Sequence, residues 1–127
     1  MTLPVTSFVA AVLGLLLIAL AGAVVGKRVR SGHAFGDGGD VSLLRVIRAH
    51  GNLSEYAPVF LVLLALLEAR AVDVTVLRAL GAVFVLSRLV AVVYSFGRQL
   101  LALRIVAFWT SALPIVVASV WLLATRR

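Results

Sequence analysis

Two long runs without charged residues stand out along the chain, one near each end. Residues 2–26 carry no charged side chain, and residues 105–125 form a second uncharged run of 21 residues. A transmembrane helix needs about 20 mostly apolar residues, so each run is long enough to cross a bilayer. We predict that the first helix extends from about Pro4 to Val25, because proline suits the first turn of a helix. The absence of a basic segment before it favours a retained span over a cleaved signal peptide.

Two further apolar runs are flanked or interrupted by charged residues. Residues 56–67 are too short to cross a bilayer alone and reach span length only when the polar stretch from Leu43 is included. Residues 79–97 are long enough but contain Arg88. Together the four runs predict an all-α fold, an integral membrane four-helix bundle that occupies residues 1–127 as a single domain.

The segments between the runs carry turn and capping residues. Residues 27–40 read KRVRSGHAFGDGGD, and their glycines and aspartates predict a hairpin connection between the first two helices. A phosphate-binding loop is disfavoured because no strand precedes the glycines and no GK[ST] follows them. Asp40 or Ser42 is predicted to cap the second helix, which continues to about Leu67, and Asp73 or Thr75 is predicted to cap the third.

Composition places the chain in the membrane class, with 63% hydrophobic residues and a mean hydropathy of +1.16. A net charge of +7 would suggest nucleic acid as the partner of a soluble protein. Here the basic residues lie mostly at span ends, where membrane topology explains them, so we expect no nucleic-acid partner. The chain has no cysteine, which excludes disulfides, thiolate metal ligands and a cysteine nucleophile. Histidines and carboxylates also lack metal-ligand spacing, so we expect no metal site.

The distribution of basic residues predicts the orientation. Seven lie on the side of the connections between helices 1 and 2 and between helices 3 and 4: Lys27, Arg28, Arg30, Arg45, Arg48, Arg98 and Arg104. Four lie on the other side: Arg70, Arg78, Arg126 and Arg127. Because basic residues accumulate on the cytoplasmic side, both termini are predicted to lie outside.

A polar stripe lies in the first half of the second helix. On an ideal helical wheel, Arg48, Asn52 and Glu55 fall at roughly 0°, 40° and −20°, with Arg45 near 60°. His50 falls near 200°, on the opposite face. Ionisable side chains within a membrane segment are costly, and they indicate a functional site by default.

The predicted topology brings polar groups from three helices to a similar depth. The stripe of helix 2, Arg88 and Tyr94 of helix 3, and Arg104 at the start of helix 4 all lie in the cytoplasmic half. The arginines outnumber the one glutamate, Glu55, so the group favours an anionic ligand. A ligand with carboxylates, an ammonium and amides, such as a peptide, would match these side chains.

Structural roles for the same residues remain open alternatives. In one alternative, Arg45 and Arg48 extend from the start of helix 2 to the lipid headgroups and take no part in a site. Glu55 would hold helices together if it pairs with Arg48 or Arg88. His50, on the other face, is interpreted as an interface or packing residue rather than a catalytic base.

The sequence RVIRAHGNLSEYAPVFLVLLALLE, residues 45–68, resembles the helix 2 signature of the MAPEG family, the membrane-associated proteins in eicosanoid and glutathione metabolism. The preceding FGDGGDVSLL is similar to the corresponding loop of small bacterial members. The resemblance is clear over residues 30–68. Beyond them it is limited to Arg88 and the stretch from Arg104. The pattern RxxRAxxNxxEYxP is specific, and the length and the four spans agree with the family.

The resemblance implies a homotrimer that binds glutathione between subunits near the cytoplasmic face. Carried over residue by residue, Arg48, Asn52, Glu55 and Tyr56 match glutathione-contacting positions on helix 2. Arg88 matches an arginine of helix 3. By this resemblance, glutathione is a co-substrate and the other partners are membrane lipids and lipophilic small molecules in a bacterial inner membrane.

Arg104 matches the family's arginine that stabilises the thiolate, and it is therefore the predicted catalytic residue. Helix 3 departs from the family pattern: Ser95 stands where eukaryotic enzymes have a tyrosine, and Ala91 where some relatives have a polar residue. Tyr94 lies about 120° from Arg88 on an ideal wheel but is retained as a predicted substrate-binding residue. The resemblance implies a glutathione transferase-like enzyme, and the departures favour the alternative of a non-catalytic membrane binding or scaffold protein. A transporter subunit is disfavoured, because no inverted repeat is visible.

Overall fold

The computed structural model describes residues 2–97 and 100–125, and in these residues it contains four α-helices. The helices are α1 (Pro4–Ser31), α2 (Val41–Ala69), α3 (Val74–Phe96) and α4 (Leu101–Ala124). Each is long and apolar enough to cross a membrane. The prediction of an all-α four-helix bundle is confirmed for the described part of the chain. Arg98, Arg126 and Arg127, which entered the orientation prediction, lie outside the described residues.

Helix α1 is longer than the apolar run that predicted it. It continues past Val25 to Ser31 and ends at Gly32, whose φ of 72° is left-handed and whose N–H donates to the carbonyl of Arg28. The prediction that residues 27–40 form a turn throughout was therefore wrong for the first five. An apolar run marks the membrane-spanning part of a helix, whereas lysine and arginine are good helix formers that extend it further. After this basic segment, the next residue suited to a left-handed helix end is Gly32.

Aspartates begin two of the helices, as the sequence predicted. Asp40 Oδ1 accepts hydrogen bonds from the N–H groups of Ser42 and Leu43, at 2.8 and 3.2 Å. Asp73 accepts from the N–H groups at the start of α3, including that of Thr75 at 2.8 Å. Hydrogen bonding to the side chain and N–H of Ser42 lowers the pKa of Asp40, and hydrogen bonding to the N–H of Thr75 lowers the pKa of Asp73.

Helix α2 contacts each of the other three helices, as α3 also does. Its Phe60 stacks on Phe84 of α3, with ring centroids 4.1 Å apart and an interplanar angle of 11°. Helices α1 and α3 approach closely at Gly81, where an added Cβ would lie 2.8 Å from a methyl group of Val9. This packing holds α2, α3 and α4 in the positions that form the candidate site.

Two neighbouring charged residues at the end of α2 secure the ends of two other helices. Both carboxylate oxygens of Glu68 accept backbone N–H groups of α1, from Val5 and Thr6, each at 2.8 Å. Arg70 Nη1 donates to the carbonyl of Thr125, just after α4, at 3.1 Å. Each charge complements the helix dipole it meets, negative at a helix start and positive at a helix end. We call this the Glu68 end of the bundle.

The loop over residues 32–40, at the opposite end, is shaped by an arginine of α1. Arg28 Nη1 donates to the carbonyls of His33, Ala34 and Gly36, the last at 2.8 Å. Gly38 has a φ of 59°, and the His33 ring occupies the space that a Cβ at Gly38 would need. The guanidinium of Arg28 is thus used within the loop rather than in the site described next.

Candidate functional site

A cavity of about 400 Å³ opens between α2, α3 and α4, and we call it the arginine cavity. It lies at the end of the bundle opposite the Glu68 end. The residues that line it are Val41, Leu44, Arg45, Arg48, Asn52, Tyr56, Arg88, Ala91, Tyr94, Ser95, Arg104, Ala107 and Phe108. The structure thus brings together six of the seven site residues predicted from the sequence.

Helix α2 supplies one wall from a single face. Arg45, Arg48, Asn52 and Tyr56 follow one another at spacings of three and four residues, which places side chains one above the other on a helix. Tyr56 and Asn52 are half-buried, whereas Arg48 is exposed. Arg45 Nε is buried and has no hydrogen-bond partner within the described part of the chain. A buried donor without a partner is costly, so this wall is suited to receive an acceptor from a ligand.

Glu55 is the one predicted site residue that does not line the cavity. Its side chain is exposed, on the side of α2 beyond Arg48. The wheel placed Glu55 roughly 20° from Arg48 but did not say which side of the stripe faces α3 and α4. The lining face is centred between Arg48 and Tyr56, so Glu55 lies at its edge. Its role in binding stays a prediction.

Helix α3 supplies the most buried charge of the site. Arg88 is only 5% exposed, and its guanidinium lies over the rings of Tyr56 and Phe84, 5.4 Å from each centroid. Its Nε donates to Ser87 Oγ at 3.3 Å, and its Nη2 donates to the carbonyl of Ala107 at 3.4 Å. These partners are neutral, so the cation is held by hydrogen bonds and aromatic faces.

The end of α3 adds neutral polar groups to the cavity. Tyr94 and Ser95 both line it, although an ideal wheel separates adjacent residues by about 100°. Tyr94 has a long side chain near the end of its helix, which allows it to reach the cavity from the flank. Ser95 Oγ donates to the carbonyl of Ala91 at 2.8 Å. The predicted position of Tyr94 beside the arginines agrees with this lining.

Helix α4 begins at the cavity and adds a further positive charge. The helix starts at Leu101, so Arg104 lies in its first turn, and the side chain is exposed. Unsatisfied N–H groups give a helix start a partial positive charge, which adds to that of the arginine. Phe108, one turn further along, lines the cavity with an apolar face.

The lining of the arginine cavity therefore combines positive charge with apolar side chains. Four arginines line it, and none of the described lining residues is acidic. Val41, Leu44 and Phe108 form much of its apolar surface. Such a cavity can bind carboxylates through guanidinium groups and hold an apolar molecule beside them. Among the described residues, no group of three or more His, Cys, Asp or Glu side chains could hold a metal ion.

Comparison with known proteins identifies the family. The model of the MAPEG family matches residues 6–124 of this chain. The chain belongs to the MAPEG family. Inner membrane protein YecN from Escherichia coli K12 and its counterpart from Escherichia coli O6:H1 are each 32% identical to it over 120 residues, covering 92% of this chain and 91% of the relative. No solved structure gives a significant match.

This MAPEG protein also has two buried polar residues at the site that sequence reasoning missed. Ser87 and Ser111 are each 2% exposed and meet across the contact between α3 and α4, with their Oγ atoms 3.0 Å apart. The one signal in the sequence is that Ser87 directly precedes Arg88 within an apolar run. His50 does not line the cavity and is half-buried, in agreement with its interpretation as a packing residue.

Proposed function

We propose that this MAPEG protein binds glutathione in the arginine cavity and conjugates it to lipophilic electrophiles. The observation that carries the proposal is the gathering of Arg48, Arg88 and Arg104 in one cavity beside Asn52 and Tyr56. Glutathione has two carboxylates, and guanidinium groups bind carboxylates bidentately with charge-assisted hydrogen bonds. The family membership of the chain also favours a glutathione-related role.

Each polar group of glutathione has a partner in this proposal. The carboxylates bind Arg48 and Arg88, and the amide of Asn52 exchanges hydrogen bonds with a peptide group. Glu55 binds the ammonium when a second copy of the chain covers its exposed side. A carboxylate that faces lipid is costly, which supports assembly of the protomers, as a homotrimer, over this face of α2.

The proposed chemistry uses the thiol of glutathione and no nucleophile of the protein. Arg104 and the start of α4 favour the charged form of the thiol, so its proton leaves to solvent. The thiolate sulfur then forms a bond to an electrophilic carbon of the second substrate, which is held against Leu44 and Phe108. The bond from that carbon to its leaving group breaks, and the leaving group, a halide in the case of an aryl halide, departs with the electron pair to solvent. Positioning of the two substrates and the positive field would supply the rate.

We further propose that the protein lies in a bacterial inner membrane with both termini outside. Four apolar helices and the similarity to inner membrane protein YecN support the location. The excess of basic residues in the connections on the cavity side supports the orientation. Membrane lipids and lipophilic small molecules are then the partners, besides other copies of the chain, and nucleic acid is not.

Calorimetry on the purified protein in mild detergent tests the binding step. We expect wild-type protein to bind glutathione and Arg48→Ala to bind it at least tenfold more weakly, since a hydrogen-bonded charge contributes about 1.5–3 kcal/mol. Arg78→Ala is the matched control, because Arg78 is an exposed arginine of α3 outside the cavity. Absence of binding by wild type, or equal weakening in both variants, would contradict the proposal.

A second candidate function is a non-catalytic binding protein on the same fold. Ser95 lines the cavity where eukaryotic enzymes of the family have a tyrosine, and Ala91 lines it where some relatives have a polar residue; these departures favour the second candidate. The two functions differ in turnover, which is measured as the rate of conjugation of glutathione to a lipophilic aryl halide. Binding of glutathione without any conjugation above the rate in buffer would support the second candidate.

A further inference from the structure

The two buried serines form a hydrogen-bonded link between α3, α4 and the guanidinium of Arg88. Ser111 Oγ donates to Ser87 Oγ at 3.0 Å, and Ser87 Oγ donates to the carbonyl of Phe84 at 2.6 Å. The same Ser87 oxygen accepts the Nε–H of Arg88. A hydroxyl has one proton to donate and two lone pairs to accept with, so all three positions of Ser87 are used.

Ser111 has a single proton and two acceptors within reach. Besides Ser87 Oγ, it can donate to the carbonyl of Ala107, which also accepts Nη2 of Arg88. The Ala107 carbonyl is the nearer acceptor, at 2.5 Å from Ser111 Oγ against 3.0 Å for Ser87 Oγ. A carbonyl oxygen has two lone pairs, so it can accept from Ser111 and from Arg88 together. Ser111 thus contacts both oxygens that accept from the guanidinium.

The neutral character of these partners matters for the charge of the cavity. A carboxylate next to Arg88 would form an ion pair and reduce its attraction for an anionic ligand. Hydroxyl and carbonyl oxygens fix the guanidinium without a compensating negative charge. The bonds of 3.3 and 3.4 Å are also long for N–H···O contacts, so they compete weakly with a ligand carboxylate. Guanidinium has five N–H donors, which leaves donors for such a ligand.

We propose that Ser87 and Ser111 are positioning residues, which hold the Arg88 guanidinium in the wall of the arginine cavity while leaving its charge available to an anionic ligand. The inference rests on the proposed function for the identity of that ligand, glutathione. The placement of Arg88 itself is a property of the ligand-free protein and can be measured without any ligand.

The first measurement follows the Nε–H group of Arg88 by nuclear magnetic resonance in ligand-free, detergent-solubilised protein. The signal is assigned by its loss in Arg88→Lys. We expect its exchange with solvent to be at least roughly fivefold faster in Ser87→Ala, which corresponds to the net stabilisation by about one hydrogen bond. Ser111→Ala should give a smaller acceleration. Ser119→Ala is the matched control, a half-buried serine of α4 outside the cavity, and should change nothing.

The second measurement is the affinity for glutathione in the same variants. We expect the dissociation constant to rise about two- to tenfold in Ser87→Ala and less in Ser111→Ala. Failure of wild type to bind glutathione would contradict the proposed function, while the exchange rates would still decide the placement of Arg88. Unchanged exchange of the Nε–H group in Ser87→Ala would overturn the inference. If wild type binds glutathione, serine variants with a lowered melting temperature and an unchanged affinity for glutathione would also overturn the inference. The serines would then serve packing alone.

Discussion

The two ends of the bundle use charged side chains in opposite ways. At the Glu68 end, the carboxylate of Glu68 and the guanidinium of Arg70 each meet a helix end of opposite partial charge. At the cavity end, Arg45, Arg48 and Arg88 converge with no acid among the described lining residues. Charges at the first end contact helix ends, whereas charges at the second are, in the proposed function, available to a ligand. This difference predicts that binding and stability depend on different residues.

The largest expected effect is the loss of binding when the buried arginine is replaced. Arg88→Met keeps a long side chain of similar shape and removes the charge, so glutathione binding should weaken by about 2–4 kcal/mol. The free energy of unfolding should stay the same or rise, because a buried charge held by neutral partners is often no more stable than an apolar side chain. Calorimetry and unfolding in detergent measure the two quantities. A large loss of stability in Arg88→Met would show that this charge also supports the fold.

At the Glu68 end we expect a smaller effect, on the stability of the fold rather than on the binding of glutathione. Glu68→Gln keeps the size of the side chain but loses the charge that accepts two N–H groups of α1, so unfolding should become easier by about 1–2 kcal/mol. Binding of glutathione should not change. The matched comparison is Glu55→Gln, which removes an exposed carboxylate of the same helix. If Glu68→Gln weakens binding as much as it weakens the fold, the two ends are not independent.

The smallest expected effect is on the pH dependence of thermal stability, and it should be similar at both ends of the bundle. The pKa values of Asp40 and Asp73 are lowered by hydrogen bonds to the residues that follow them. A carboxyl group whose pKa is lower in the folded state stabilises the fold above its unfolded pKa, about 3.9, and loses this contribution as the pH falls through the folded pKa. Asn is also a good capping residue, so Asp40→Asn and Asp73→Asn should each flatten the acid-side loss of thermal stability. An unchanged acid profile in both variants would exclude the caps as its source.

The cavity end was more predictable from the sequence than the Glu68 end. The stripe on α2 follows the helical period, so it correctly placed Arg48 and Asn52 on a common face. The apolar runs set the topology, which then brought Arg88 and Arg104 to the same end. The contacts of Glu68 with Val5, by contrast, join residues 63 positions apart and depend on which helices become neighbours. No local pattern carries that information.

Three features show where helical periodicity stops being informative. The wheel gave the direction of Glu55 about the helix axis but not which side of the stripe faces the other helices. The apolar run ended before α1 did, because a polar segment can continue a helix beyond the membrane. The pairing of Ser87 with Ser111 depends on how α3 and α4 pack, and small hydroxyl residues are common in membrane helices without such a role.

The most direct test of the account measures the ionisation of glutathione in the arginine cavity. The ultraviolet absorbance of the thiolate is recorded across a pH titration of the glutathione-loaded protein, for wild type, Arg104→Ala and the control Arg78→Ala. A positive charge near sulfur favours the thiolate, so the thiol of bound glutathione should ionise below its reference pKa of about 8.5 in wild type and in the control. Arg104→Ala should still bind glutathione but lose the thiolate signal near neutral pH. Glutathione that binds to wild type with an unshifted thiol pKa would contradict the catalytic account and leave a binding protein on this fold.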